Sequence, residues 1–232
     1  MLQFGIKNIF LLPIKTITMK VLQFLTLTLF IFFTSCDSGP RKAVIETEYG
    51  NMTVELYDST PLHRDNFVKL VSEGFYDDLL FHRVIEGFMI QGGDPESKNA
   101  DASKRLGGGG PGYTIPAEIG SPHFKGTLAA ARTGDAMNPE RASSGSQFYL
   151  VQGKPLTETE VKSFASRGGY TYNPTQIKKY VEMGGTPGLD NQYTVFGEVI
   201  DGIEVIDKIA AVQTRPGDRP IKDLKMKIRM LN

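Results

Sequence analysis

Apolar and polar residues alternate in short runs along most of this chain, and turn residues break the runs at close intervals. Ala43-Val44-Ile45-Glu46-Thr47 and Met52-Thr53-Val54-Glu55-Leu56 flank Tyr49-Gly50-Asn51, which predicts a β-hairpin. Thr60-Pro61 opens a predicted helix, with Thr60 as N-cap, a stripe of Phe67, Leu70 and Val71, and Gly74 as its stop. Residues 81–94 read as two short strands around a Glu86-Gly87 turn, closed by Gly92-Gly93. Further strands are predicted at 126–132, 146–151 and 194–199. A second helix over 202–211 carries Val205, Ile206 and Ile209 at helical spacing. Leu224, Met226, Ile228 and Met230 alternate with Lys225, Lys227 and Arg229, as in a strand with one charged face. Strands joined by long loops, with few helices between them, predict a mainly β fold. We expect a closed eight-stranded antiparallel β-barrel capped by two α-helices rather than a doubly wound sheet.

Two stretches depart from this pattern. Residues 154–187 form an insertion. Thr157-Glu158-Thr159-Glu160 is a capping-box sequence followed by Val161, Phe164 and Ala165. Asn173-Pro174-Thr175-Gln176 opens a second segment with Ile177, Tyr180, Val181 and Met183, stopped by Gly184-Gly185. Two short helices joined through Arg167-Gly168-Gly169 are expected. The other stretch is the N-terminus, where residues 1–36 hold Lys7, Lys15 and Lys20 and no acid. Residues 21–33 are almost wholly apolar, too short a run for a spanning helix of roughly 20 residues but suited to a secretory leader. Thr34-Ser35-Cys36 resembles the end of a bacterial lipoprotein signal, in which the cysteine is lipidated, although Phe33 stands where that signal usually has Leu. Met19 would make a more typical start than Met1. A cleavable leader with an incidental cysteine is the other reading. The expected organisation is a signal over 1–36, a tether over 37–42 and one domain over 43–232.

Composition narrows the function classes. The chain has 232 residues, enough to bury a full core, and its 25 Gly and 13 Pro fit many turns. Formal net charge is zero, so nothing points to nucleic acid. The three basic residues of the leader leave the remainder slightly acidic. Cys36 is the sole cysteine, and His63, His82 and His123 lack the close pairing of a zinc motif, so no disulfide and no metal is expected. Gly107-Gly108-Gly109-Gly110-Pro111-Gly112 spells G-x-G-x-x-G, but Pro116 closes off the helix that a dinucleotide site requires, so a flexible loop is expected instead. Ser143-Ser144-Gly145-Ser146 has no nucleophile-elbow pattern. Asp94 and Glu118 read as solvated or capping acids in turns.

The chemistry sits in Phe81-His82-Arg83-Val84-Ile85-Glu86-Gly87-Phe88-Met89-Ile90-Gln91-Gly92-Gly93-Asp94. Arg83 and Gln91 on otherwise apolar strands are costly unless they line a cleft and find partners there. A satisfied Arg-Gln pair at a barrel rim is the plainer alternative. The run closely resembles the signature of the cyclophilins, the peptidyl-prolyl cis-trans isomerases. Three more segments resemble that family in the same order: 126–132, Ser144-Gly145-Ser146-Gln147-Phe148-Tyr149, and Leu189-Asp190 with Val195-Phe196-Gly197. The likeness runs from about 42 to 228 and is interrupted by the insertion.

The resemblance implies roles. Arg83 would be catalytic, and Phe88, Met89, Tyr149 and Leu189 would wall a proline pocket. Gln91 and Gln147 would supply polar groups, and Ala131 and Arg132 the strand that pairs with substrate. His82 also matches a site position. Gly188 and Tyr193 stand where many members have tryptophan and histidine, and Tyr149 replaces a Phe. The implied activity is X-Pro isomerisation in exported or envelope proteins during folding, by a lipid-anchored protein of a bacterial envelope. A proline-peptide binding module or chaperone with little turnover is the alternative. No cofactor is implied. The expected partners are proline-containing peptides and unfolded proteins, with no nucleic acid, a membrane only through the lipid anchor, and a monomeric state. The insertion, flanked by Tyr149 and Leu189, is expected at the rim of the proline pocket.

Overall fold

The hairpin forms as its alternation predicts, with β1 (Lys42–Thr47) paired to β2 (Gly50–Leu56) around Glu48 and Tyr49. In the computed structural model, which describes residues 39–231, the chain continues through α1 (Pro61–Ser72), β3 (Arg83–Ile85), β4 (Met89–Gly92), β5 (Thr114–Ile115) and β6 (Thr127–Ala130). Then come β7 (Ser143–Ser144), β8 (Phe148–Val151), α2 (Glu158–Gly168), α3 (Pro174–Met183), β9 (Val195–Asp201), α4 (Glu204–Ala210) and β10 (Met226–Leu231). Cys36 and the leader lie outside the described residues. From Pro40 onward the chain forms one compact unit.

Eight strands make one antiparallel sheet in the order β10-β1-β2-β9-β6-β8-β4-β3, and β5 and β7 pair separately. The expected barrel is mainly β as predicted, but its ladder does not close. At the seam between β3 and β10, the segment just ahead of β3 is joined to the start of β10 and the residues before it by Asp78 N to Met226 O at 3.0 Å, Phe81 N to Leu224 O at 2.9 Å and Met226 N to Leu79 O at 2.8 Å. The free edge of β3 is taken by a loop instead, since Val84 N donates to the Asp218 carbonyl at 2.8 Å. The sheet is therefore a curled half-barrel with a stitched seam.

Side-chain alternation sends Ile45, Met52, Val54, Val84, Ile90, Leu128, Phe148, Leu150, Met226 and Ile228 into one core. The two predicted capping helices complete it, α1 with Phe67, Leu70 and Val71, and α4 with Val205, Ile206 and Ile209. Phe148 sits edge-on to Phe67, Tyr76 and Phe81, with ring centroids 5.9, 5.6 and 6.4 Å away.

Local signals were read correctly at most ends and wrongly at one. Thr60 makes no side-chain cap. Glu118 caps α1 from a distant loop by accepting from Leu62 N at 3.1 Å and His63 N at 3.0 Å. Both expected insertion helices form; the first carries the predicted capping box, Thr157 with Glu160, and the second carries one as well, Asn173 with Gln176. Their small core joins Phe124, Leu156, Val161 and Tyr180.

Phe148→Ala should remove three aromatic contacts from a site the sheet cannot collapse around. The expected cost is about 3–5 kcal/mol of unfolding free energy. Urea unfolding of both chains measures it, and a loss below about 1 kcal/mol would show that the core repacks.

Candidate functional site

The site is the outer face of the strands whose inner face makes the core. Register places Arg83 opposite Gln91, Gln91 opposite Tyr149, and Tyr149 opposite Ala129, giving one row across β3, β4, β8 and β6. The next row runs Ile85, Met89, Val151. Met89, Ala129, Tyr149, Val151 and Val195 form a second apolar cluster, against which Phe88, Ala131, Leu189 and Tyr193 pack. It was Arg83 and Gln91, placed among apolar residues, that marked these strands in the sequence.

A cavity of about 680 Å³ opens on this face. It is lined by His82, Arg83, Phe88, Met89, Gln91, Ala131, Arg132, Tyr149, Leu189 and Tyr193, so every residue expected at the proline pocket but Gln147 borders it. Arg83 is half-exposed, and its Nε donates to Asp218 Oδ2 at 3.2 Å. Among the described residues that is the only hydrogen bond of its side chain, which leaves the terminal amino groups available to a ligand. His82 is buried at the cavity wall with neither ring nitrogen partnered. Burial lowers its pKa to about 4, against the pull of Asp94, so the ring is neutral at physiological pH.

Gln147 lies behind the wall. Its Oε1 accepts from Gln91 Nε2 at 3.0 Å, while its Nε2 donates to the carbonyls of Gly107 at 3.1 Å and Gly109 at 2.7 Å. Asp94, expected to be solvated or capping, is fully buried. It caps the following turn through Glu96 N and also accepts from Gly107 N at 2.5 Å and Gly109 N at 3.3 Å. The glycine run expected to be a flexible loop is thus tied down at 107–109. A Cβ at Gly109 would stand 2.2 Å from Asp94 Oδ1, which is why that position needs glycine.

The Tyr149 hydroxyl is hydrogen-bonded to His123 Nε2 at 2.9 Å, and His123 Nδ1 is bonded to Asp190 Oδ1 at 2.8 Å. The same oxygen accepts from His123 N at 2.7 Å, and Oδ2 accepts from the hydroxyls of Tyr172 and of Tyr180, the latter at 2.5 Å. Burial raises the Tyr149 pKa well above its usual value, so it remains a phenol. Sequence reading missed His123 and Asp190, because nothing in spacing joins positions 67 residues apart.

The insertion does not stand at the rim of this cavity, contrary to expectation, for none of its residues lines it. Phe164 and Arg167 of α2 and Tyr170 beyond it border a second cavity of about 490 Å³ with Arg141 and Gly188. The helices turn to that side because Tyr170, Tyr172 and Tyr180 hydrogen-bond to Pro187 O and Asp190, behind the ridge that carries Leu189. Lys104, Arg105, Arg215, Asp218 and Arg219 also line the first cavity and were not foreseen. The Arg215-Pro216-Gly217-Asp218-Arg219 turn, charged at three of five positions, was the available signal.

Comparison with known proteins identifies the family. A family model described as cyclophilin type peptidyl-prolyl cis-trans isomerase/CLD matches residues 42–230. A Staphylococcus aureus protein named as a peptidyl-prolyl cis-trans isomerase is 35% identical over 189 residues, covering 81% of this chain and 90% of that one. A Streptococcus pyogenes protein named as a bifunctional phosphatase/peptidyl-prolyl cis-trans isomerase is 39% identical over 192 residues, covering 81% of this chain and 37% of that one. The fold is similar to a Cryptosporidium parvum cyclophilin type isomerase, with TM-score 0.59 and 24% identity, covering 84% of this chain and 99% of that one. The chain belongs to the cyclophilin-type peptidyl-prolyl cis-trans isomerases.

Proposed function

We propose that Arg83 is the catalytic group of this isomerase, and that its substrates are proline-containing segments of unfolded, exported proteins. The peptide bond resists rotation by about 18–20 kcal/mol because nitrogen shares its lone pair with the carbonyl. Before proline the two isomers are close in energy, yet they exchange over tens to hundreds of seconds. Catalysis requires no bond to break. It requires the twisted form, with a pyramidal and more basic prolyl nitrogen, to bind better than either planar form. The observation that carries this reading is Arg83, its terminal amino groups unspent, beside an apolar wall of Phe88, Met89, Leu189 and Tyr149. The wall holds the proline ring while the guanidinium donates to the freed lone pair or to the prolyl carbonyl. Asp218 aims the guanidinium, and the exposure of both partners keeps the pair's own contribution to stability small. A hundred-thousandfold acceleration needs about 7 kcal/mol, within reach of positioning plus one or two charge-assisted donors. A Cryptosporidium parvum cyclophilin type isomerase of similar fold, TM-score 0.57, was crystallised in the presence of the dipeptide Ala-Pro, which supports proline peptides as the substrate class here.

The export reading rests on the first 36 residues, which lie outside the described residues. Among the described residues no helix is long and apolar enough to cross a membrane. We read Cys36 as a lipid-bearing first residue of the mature chain, which would hold the isomerase domain at an envelope surface through the tether 37–42, as a monomer.

Arg83→Ala should lower kcat/KM on a proline tetrapeptide by about 10²–10³ with an unchanged circular dichroism spectrum. Near-wild-type turnover by a folded variant would remove Arg83 from the mechanism. Cys36→Ser should abolish fatty-acid labelling and leave the protein unprocessed or released from membranes; an unlabelled wild type would overturn the anchor. The third expectation follows from His82. Folding favours its neutral form, with a pKa of about 4 against 6.5 unfolded, so that stability is present above about pH 6.5 and lost as pH falls toward 4. His63, also lowered by burial, acts in the same direction. Urea midpoints at pH 7 and pH 4.5 should differ less in His82→Gln than in the wild type, and an equal difference would refute the assignment.

A further inference from the structure

The mouth of the proline cavity is lined by six cations, Arg83, Lys104, Arg105, Arg132, Arg215 and Arg219, and by one carboxylate, Asp218. The chain as a whole has equal numbers of basic and acidic side chains, so this excess is local. Four of the cations are matched by nearby acids. Arg83 meets Asp218 at 3.2 Å, Lys104 meets Glu96 at 3.1 Å, Arg132 meets Asp135 at 2.6 Å and Arg219 meets Asp223 at 2.9 Å. Arg105 and Arg215 are different. Among the described residues neither has a carboxylate within the 4.0 Å of an ion pair.

Loop architecture explains only one of these two. Arg215 donates to Ala102 O at 2.7 Å, Pro220 O at 3.2 Å and Ile221 O at 2.7 Å, stitching the 215–219 turn to the 100–107 loop. Its charge stays uncompensated while its position is fixed. Arg105 is exposed and makes no side-chain hydrogen bond among the described residues, so the fold gives it no structural task.

We propose that Arg105 and Arg215 make this isomerase selective for prolines flanked by acidic residues, with an Asp or Glu next to the proline held in the field of these two guanidinium charges that no carboxylate matches. The proposal rests on the proline cavity being the substrate site and names which segments it prefers. A unit charge about 7 Å away across water changes affinity about threefold, so the two together give about tenfold. That gain is screened by salt, since the Debye length falls from about 10 Å at 0.1 M to about 3 Å at 1 M.

The test uses the full chain and two peptides that differ only in Glu or Gln immediately before the proline. At low ionic strength the Glu peptide should show a kcat/KM about tenfold higher, and the ratio should approach one at 1 M salt. Arg105→Gln should cut the low-salt ratio to about threefold. A Glu/Gln ratio within twofold at low salt, or one indifferent to salt or to Arg105→Gln, overturns the proposal. Titration calorimetry with the same peptides reads the preference without turnover. A charge preference in binding with no isomerisation of either peptide would therefore count against the catalytic reading and for the selectivity.

Discussion

The structure depends on strand register. β3, β4, β8 and β6 carry two functions on opposite faces, and a period of two sorts them. Val84, Ile90, Phe148, Leu150 and Leu128 point to the core, while Arg83, Gln91, Tyr149 and Ala129 form a row outside. A slip of one residue in β3 or β4 would send Arg83 or Gln91 into an apolar interior, and one in β8 or β6 would expose Phe148, Leu150 or Leu128. The buried cost of either error holds the register, and so the core indirectly holds the row that faces the cavity. The shortness of β3 follows from the same economy. Beyond Ile85 the chain turns at Glu86 and Gly87 to bring Phe88 and Met89 back beside the same row.

Much of this was legible because it is local. Capping boxes at Thr157 and Asn173 lie within four residues, and their helices begin where the pattern says. Strand alternation identified the sheet, and Arg83 and Gln91 stood out because polar groups on apolar strands need a reason. What escaped was non-local. Thr60 has the right chemistry for a cap, yet Glu118 outbids it, since a carboxylate can accept from two helix N–H groups at once and also from His63 Nδ1 at 2.7 Å. The open seam was also illegible, because it depends on the Asp218 carbonyl reaching Val84 across the fold. The unmatched cations at the cavity mouth lie on two loops more than a hundred residues apart in sequence, and only folding brings them together.

Asp190 shows how a wall of the site can be apolar and polar at once. Replacing a Phe-like wall by Tyr149 adds a hydroxyl that is costly to bury unpaired. His123 Nε2 partners it at 2.9 Å, and the Asp190 carboxylate, bonded to Nδ1 at 2.8 Å, orients the ring. A buried carboxylate in turn needs donors. His123 supplies two, from its backbone and its ring, and the hydroxyls of Tyr172 and Tyr180 supply the rest. The insertion is therefore not a free decoration, even though it lines none of the cavity beside Arg83. It completes the solvation of the acid that orients the histidine that satisfies the tyrosine in the wall. With its hydroxyl so engaged, Tyr149 presents its ring to the cavity as a hydrocarbon surface.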